Sequence, residues 1–139
     1  MAVHTQFSIA VHIMAALAYS SDKQITSTML AGSVNTSPSF VRRVVAKLSK
    51  AGLVRTATGK SGACRLARDA SRISLFEIYE AVDAPRAFAI HQYPELKRCP
   101  VSCEIKRSLD KVLSRTQEAM EKSLKSVNLE QILGDMRRK

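Results

Sequence analysis

Apolar side chains recur along the first third of the chain at spacings that predict helices. Residues 5–20 carry them on nearly every side, which is typical of a helix that packs on several neighbours. After a polar break, a shorter helix is predicted over 27–33, with Thr26 or Ser27 as its N-cap. Residues 34–36 then provide a tight turn.

The third predicted helix has the clearest boundaries. Ser37 offers a capping side chain, and Pro38 stands at the first helical position, where its missing N–H costs nothing. Gly52 follows at the place where a left-handed residue would end the helix. One face of this helix is apolar, through Val41, Val44, Val45 and Leu48.

Two short alternating segments, 53–57 and 64–67, predict a β-hairpin after this helix. The tip of the hairpin, residues 58–63, contains two glycines and a lysine. A helix, a short helix, a turn, a cationic helix and a hairpin follow one another in the order of a winged helix-turn-helix. We therefore expect a mainly α fold with a small two-stranded wing and no larger sheet.

The second half of the chain predicts a long amphipathic helix. Helical spacing returns over 73–82, and a loop with little periodicity occupies 83–98. The long helix is predicted from residue 100 to about 127, and a short terminal helix contains Leu129, Ile132, Leu133 and Met136. We expect a winged-helix domain over 1–82, a linker over 83–98, and the last two helices together over 99–139.

The positive charge of the chain is concentrated in one region. Lys and Arg number 22 against 12 Asp and Glu, which gives a net charge of +10 and favours polyanionic partners such as nucleic acid or an anionic membrane. Residues 37–72 contain nine of the basic side chains and one acidic side chain, and the rest of the chain is close to neutral. Because a generally basic surface would spread the excess evenly, we expect the third helix and the hairpin to form a nucleic-acid interface.

The groove dimensions of B-DNA suggest a role for individual residues of this region. An α-helix fits the major groove, and its N-terminal residues reach the base edges, which assigns Ser37, Ser39, Arg42 and Arg43 to the groove. Lys47 and Lys50, further along, are expected to face phosphates or solvent, and Lys60 and Arg65 of the hairpin to contact the backbone or a minor groove. Each of the basic residues alone would be explained as a solvated surface cation, and only their clustering favours double-stranded DNA.

The long helix predicts a second copy of the chain as a partner. A helix of about 25 residues is roughly 37 Å long, more than a small domain needs to cover its own core. Its apolar stripe is therefore expected to pack on another protomer, although an intramolecular stripe is the alternative. The stripe consists of Ile105, Leu109, Val112, Leu113, Thr116, Met120 and Leu124.

The cysteines and the first helix indicate a cytoplasmic protein that does not enter a membrane. The chain has three cysteines, an odd number that argues against a disulfide framework. The apolar stretch 7–19 has no Lys or Arg before it and is too short to span a bilayer, so a buried helix is expected there.

Several segments, in their order and spacing, carry a family resemblance over essentially the whole chain. The chain resembles the Rrf2 family of bacterial winged-helix repressors, and most of all its YwnA-like branch. The matching segments are 7–12 (FSIAVH), Leu30-Ala31, 37–43 (SPSFVRR), 51–54 (AGLV), 59–63 (GKSGA), 73–79 (ISLFEIY) and 99–101 (CPV). The resemblance implies a homodimer that represses transcription at a palindromic operator, with Ser37, Ser39 and Arg42 as groove contacts.

The cysteines depart from the pattern of the family members that sense through an iron–sulfur cluster. Those members carry three cysteines just before the long helix, whereas this chain has Cys99 and Cys103 there. Ser8 stands where some relatives have an acidic ligand, and His12 lies about where one branch uses a histidine. The YwnA-like branch implies no cluster, so we expect no cofactor and no metal.

The cysteines leave three roles open. They are small structural residues, or a thiol switch for oxidants or electrophiles, or ligands of an iron–sulfur cluster or another metal that uses Cys99 and Cys103 with His12 or His91. The switch is suggested because Cys99 and Cys103 begin the long helix, whose dipole favours a thiolate. Cys64 lies in the predicted wing beside Arg65, where its oxidation would perturb DNA contacts.

We therefore expect a homodimeric, sequence-specific DNA-binding regulator, a repressor by resemblance, and no enzyme. The chain contains no Ser/His/Asp arrangement, phosphate-binding glycine loop or plausible carboxylate pair. The alternatives are a cluster-sensing regulator of the same fold and a winged-helix adaptor that does not bind DNA. The operator, the target genes and the effector do not follow from the sequence.

Overall fold

The computed structural model describes residues 4–57 and 62–138 as a mainly helical chain with a small antiparallel sheet. This is the winged helix-turn-helix that the sequence predicts. The elements are α1 (Gln6–Tyr19), β1 (Ile25–Thr26), α2 (Ser27–Val34), α3 (Pro38–Lys50), β2 (Val54–Thr56), β3 (Ala63–Leu66), α4 (Leu75–Ala81), α5 (Pro100–Lys125) and α6 (Leu129–Arg137), with a 3₁₀ turn at Ala70–Arg72 before α4.

Local side-chain chemistry sets the ends of the helix-turn-helix. Thr26 caps α2 by accepting a hydrogen bond from the Met29 N–H at 3.2 Å. The turn between α2 and α3 requires a left-handed residue, which Asn35 supplies with φ of 68°. Gly52 has φ of +79° and follows Ala51, the C-cap of α3, as predicted for the left-handed residue that ends this helix.

The wing has one strand more than the sequence predicts. β1 pairs antiparallel with β3, so the sheet order is β1-β3-β2, with Ile25 opposite Cys64 and Thr26 opposite Ala63. A strand of two residues has no alternating pattern of its own, and its pairing is set by the antiparallel neighbour rather than by local propensity. The expected two-stranded wing is therefore a three-stranded sheet anchored to the start of α2.

The last helix belongs to the winged-helix unit. One compact unit runs to Ala84 and includes the chain from Leu124 onward, and the other comprises Pro85–Ser123. The division predicted from the sequence groups 99–139 and so separates α6 from the first unit. The structure differs because Leu129 and Leu133 are buried in the core that α1 and α3 also form.

Backbone hydrogen bonds join the chain around the start of α6 to the chain around the start of α4. The Leu129 N–H donates to the Ile73 carbonyl and the Leu75 N–H donates to the Val127 carbonyl, both at 2.9 Å. The side chain of Asn128 caps α6 by accepting from the Gln131 N–H. These bonds fix the start of α6 beside the start of α4, within the same unit.

The second unit has no apolar core of its own. None of the apolar side chains described between Pro85 and Ser123 is fully buried, and the buried residue there is Gln117. The Gln117 side-chain oxygen accepts the Ala87 N–H at 2.9 Å, which ties the loop to α5. Among the residues that the structure describes, no helix is long and apolar enough to cross a bilayer.

Candidate nucleic-acid interface

The start of α3 is held in place by a cap and by a buried face. The Ser37 hydroxyl accepts the Phe40 N–H at 3.2 Å, and Pro38 follows at the first position of the helix. The apolar stripe that the sequence predicts, Val41, Val44, Val45 and Leu48, is buried. The opposite face of the helix therefore points to solvent in a fixed orientation.

The predicted groove contacts lie on that exposed face. Ser37, Ser39, Arg42 and Arg43 are all exposed. The Arg43 guanidinium lies over the Phe40 ring, 5.4 Å from its centroid, so a cation–π contact restricts the side chain before any ligand arrives. Arg42 lines a cleft between α3 and the wing, together with Lys50 and Thr56.

Lys47 is placed differently from the other cations of α3. Its residue is half-buried, and its ammonium donates a hydrogen bond to the Gln6 side-chain oxygen on α1 at 3.2 Å. Part of its hydrogen-bonding capacity is therefore used within the fold. The contact between Lys47 and DNA stays a prediction. Its side chain is less exposed than those of Arg42 and Arg43.

The outer face of the wing carries a cationic cluster. Arg65 on β3 stands directly opposite Arg55 on β2, and cross-strand partners point to the same face of a sheet. Lys23, before β1, lines the same concave surface. Like charges directly opposite one another destabilise a sheet, so this arrangement favours an anion on that face.

Arg55 and Lys23 are candidate contacts that the sequence prediction does not include. The alternating pattern identifies the two hairpin strands but not their register, and the register is what places Arg55 beside Arg65. Lys23 joins them through β1, the strand that the sequence does not reveal. Lys60, predicted to contact DNA from the tip of the hairpin, lies outside the described residues.

The basic residues after the wing are partly neutralised within the fold. Arg68 forms an ion pair with Glu77 and also donates to the Arg72 carbonyl. Asp69 caps the 3₁₀ turn, and hydrogen bonds from the Ser71 backbone and side chain lower the pKa of its carboxyl. The effective cationic surface is therefore centred on α3 and the wing.

Cys64 differs in environment from the other two cysteines. Cys64 is buried, on the side of β3 opposite to Arg65. Burial raises the pKa of its thiol, and a hydrogen bond with Ser27 partly offsets this increase. Cys99 and Cys103 are half-buried free thiols.

The two remaining cysteines stand at the beginning of α5, as their spacing predicts. The Cys99 sulfur accepts the Ser102 N–H at 3.4 Å, so it acts as a cap of the helix. The Cys103 sulfur lies 3.8 Å from the Leu96 carbonyl oxygen and 3.7 Å from that of Lys97. The Cys99 sulfur is therefore in contact with a backbone N–H of the first turn of α5, and the Cys103 sulfur with backbone carbonyls of the preceding loop.

The described residues do not assemble a ligand set for an iron–sulfur cluster. No three His, Cys, Asp or Glu side chains among them come together as metal ligands. The His12 ring is hydrogen bonded to the Ser33 hydroxyl, and His91 packs against Tyr93. Cys99 and Cys103 alone supply half of the four protein ligands that such clusters take.

The predicted dimerisation stripe of α5 is incompletely covered. Val112 is 47% exposed and Thr116 is exposed, with its hydroxyl donating to the Val112 carbonyl. The remaining members are half-buried: Ile105, Leu109, Leu113, Met120 and Leu124. Phe88, Tyr93, Leu96 and Val101 add further exposed apolar surface in the same unit.

Comparisons with known proteins agree on one family. The profile described as "Rrf2: Iron-dependent Transcriptional regulator" matches residues 3–135. The chain is 36% identical to the "Putative HTH-type transcriptional regulator YwnA" of Bacillus subtilis (strain 168), over 96% of this chain and 98% of that protein.

Solved structures show the same fold. A crystal structure described as that of "a putative DNA binding protein" has 34% identity and a TM-score of 0.75, covering 92% of this chain and 98% of its own. T. potens IscR has 21% identity and a TM-score of 0.73, covering 99% of this chain and 89% of its own.

Proposed function

The chain belongs to the Rrf2 family of transcriptional regulators, and we propose that it is a sequence-specific DNA-binding regulator that acts as a homodimeric repressor and has no enzymatic activity. One observation carries the proposal. α3 buries one face in the core and presents Ser39, Arg42 and Arg43 on the other, beside a cationic wing. The similarity to a structure described as a DNA-binding protein supports it.

In the proposed complex the beginning of α3 enters the major groove. Arg42 and Arg43 have the bidentate donor geometry that recognises the O6 and N7 atoms of guanine. The contact between Arg43 and Phe40 reduces the side-chain entropy that binding would otherwise cost. Ser37 and Ser39 bond to a base edge or a phosphate, and Arg55 and Arg65 bind backbone phosphates from the wing.

Dimerisation follows from the poor burial of the second unit. A stretch that exposes Val112, Val101 and Phe88 without a buried apolar residue of its own needs a partner surface. A second copy would supply it through α5, and symmetric dimers of helix-turn-helix proteins bind half-sites one helical turn apart, about 34–36 Å. The operator is therefore an inverted repeat.

The proposed regulator works without an iron–sulfur cluster. Cys99 and Cys103 are the cysteines near α5, and the described residues bring no further ligands to them. Anaerobic purification followed by an absorption spectrum tests this directly. Colourless protein that still binds the operator is expected, and brown protein with visible bands and bound iron and sulfide would contradict it.

A second element of the proposal is modulation by oxidation of Cys99 and Cys103. The two half-buried thiols are one turn apart, and the Cys99 sulfur already caps α5, so a disulfide there would disturb the start of the dimer helix. Hydrogen peroxide would take up the two electrons and the two thiol protons and leave as water. Operator affinity should fall on oxidation and recover with dithiothreitol, and Cys99→Ser with Cys103→Ser should remove the effect.

The DNA-binding claim is tested by selection from a random pool of duplex DNA. The full chain should enrich an inverted repeat. Its affinity should also fall steeply with salt, because each phosphate contact adds about −0.9 to the slope of log affinity against log salt concentration. Failure to enrich any sequence, together with a shallow salt dependence, would leave the winged-helix adaptor as the better description.

A further inference from the structure

A cleft of about 550 Å³ opens between α1, α2 and α6, on residues that the proposed DNA surface does not use. Its volume lies in the range of small-molecule sites, about 300–1,000 Å³. Apolar side chains form most of its walls: Ala15, Ala16, Ile25, Leu30, Met29 and Ile132. The apolar lining predicts a ligand that is itself mainly apolar.

The lining also contains polar side chains, and two of them, His12 and Ser33, are hydrogen bonded to each other. The Nε2 atom of His12 and the Ser33 hydroxyl are 2.9 Å apart, across α1 and α2. A hydroxyl group has one proton and two acceptor positions, so this single bond leaves Ser33 with capacity for another partner. Small-molecule sites commonly combine apolar walls with a few such polar groups that orient the ligand.

The absence of charged side chains from the described part of the lining restricts the kinds of ligand that the cleft can bind. Among the described residues that line the cleft there is no Lys, Arg, Asp or Glu. A phosphate or another strongly charged group would lose its hydration there without an opposite charge to replace it. The site therefore selects uncharged molecules.

The rim of the cleft is open and adaptable. Tyr19, Met29 and Met136 line the cleft and are 63%, 52% and 50% exposed. Methionine side chains are flexible and polarisable, so they adjust to different ligand shapes. The concave shape and the His12–Ser33 pair fit a small molecule better than the flat face of another protomer.

We propose that this cleft binds a small, uncharged, mainly apolar molecule that carries one hydroxyl group, which hydrogen bonds to Ser33. Ligand binding in this cleft is independent of the proposed DNA binding and can be measured without DNA.

The test uses the full chain labelled with ¹³C at the methionine methyl groups. The probes are 4-ethylphenol and ethylbenzene, which differ by one hydroxyl. The Met29 and Met136 methyl signals should shift in a saturable manner with 4-ethylphenol, at a Kd on the order of 1 mM or tighter. Met120, which does not line the cleft, should stay unchanged.

Two pairs of variants test where and how the probe binds. Ser33→Ala should raise the Kd of 4-ethylphenol by about 3- to 10-fold, because one hydrogen bond is lost. The Kd of ethylbenzene, which has no hydroxyl, should change by less than about twofold. Thr28→Ala removes an exposed hydroxyl of the same helix that does not line the cleft, and should change neither. Ala16→Phe should fill the cleft and abolish binding of both probes, whereas Ala51→Phe, exposed after α3, should leave it intact.

Several results would overturn the proposal. These are an absence of Met29 and Met136 shifts with either probe up to several millimolar, equal shifts of Met120, or unchanged binding in Ala16→Phe. Shifts of the same two methyl groups on dilution of the protein alone would assign the cleft to a second copy instead. If Ala16→Phe does not fold, Ser33→Ala against Thr28→Ala decides the question.

Discussion

Ser37 has two roles that are separable by substitution. Its hydroxyl oxygen accepts the Phe40 N–H and so caps α3, while the residue itself remains exposed at the proposed DNA surface. A capping oxygen is also present in aspartate, which favours a helix N-terminus but repels phosphate. Stability and DNA affinity should therefore respond differently to Ser37→Ala and to Ser37→Asp.

Ser37→Ala should lower the free energy of unfolding by about 1 kcal/mol because the cap is lost. Ser37→Asp should keep the stability within about 0.5 kcal/mol of the wild type and lower operator affinity more than alanine does, through repulsion of the DNA backbone. Urea unfolding and fluorescence anisotropy measure the two quantities. Wild-type DNA affinity in Ser37→Asp would place this residue away from the DNA.

The three thiols should differ in reactivity. Burial raises the pKa of the Cys64 thiol and also blocks access to it, so a smaller fraction is present as thiolate at neutral pH. Iodoacetamide should modify Cys99 and Cys103 before Cys64 in the native protein, as read by peptide mass spectrometry. In urea the order should disappear, and a native Cys64 that reacts first would contradict the described burial.

At the residue scale, sequence predicts which side chains are exposed better than it predicts their partners. The exposure of Arg42 and Arg43 follows from their position off the apolar stripe of α3. The bond from Lys47 to Gln6 joins residues 41 positions apart and depends on how α1 packs on α3. No local pattern contains that information, so the sequence groups Lys47 with the fully exposed cations.

At the scale of elements, helices with caps are predictable from sequence and the short strand is not. Ser37, Pro38 and Gly52 mark the ends of α3 in the sequence, and the structure confirms them. β1 has two residues and exists because β3 offers it a partner. The sequence misassigns α6 for a related reason, since only the burial of Leu133 shows which unit this helix joins.

The position of α6 gives a stability prediction. Leu133→Ala should lower the free energy of unfolding by about 2–5 kcal/mol, the usual range for a buried leucine. Met136→Ala removes a half-exposed side chain from the same helix and should cost less than about 1 kcal/mol. Both are measured by urea unfolding at one protein concentration. Equal, small effects would mean that α6 contributes little to the core.

At the scale of the whole molecule, charge and burial distinguish two surfaces, for which we propose different partners. Most of the net positive charge lies between residues 37 and 72, in the unit that has the buried core. The other unit, Pro85–Ser123, has exposed apolar side chains and no buried one among its described residues. The sequence predicts both features, because net charge and helix length do not depend on tertiary detail.

The proposed dimer is tested at the exposed part of its stripe. Val112→Glu places a carboxylate in the apolar interface, where its burial without a partner is unfavourable, and should shift the mass in sedimentation from about twice 15.3 kDa toward the monomer. Lys111→Glu puts the same group on the neighbouring exposed position and should leave the dimer intact. A dimer that is equally stable in both variants would mean that α5 is not the interface.

The central claim is that the exposed face of α3 binds the operator. The most direct test is the affinity of the double variant Arg42→Ala, Arg43→Ala for the selected operator, measured by fluorescence anisotropy at one salt concentration. The control is Arg137→Ala, Arg138→Ala, an adjacent exposed pair at the end of α6 whose removal changes the net charge equally.

Each bidentate arginine contact is worth about 1–3 kcal/mol, so the α3 variant should lose at least about 30-fold in affinity while remaining folded and dimeric. The control pair should stay within about threefold of the wild type. An α3 variant that binds the operator as well as this control would contradict the account.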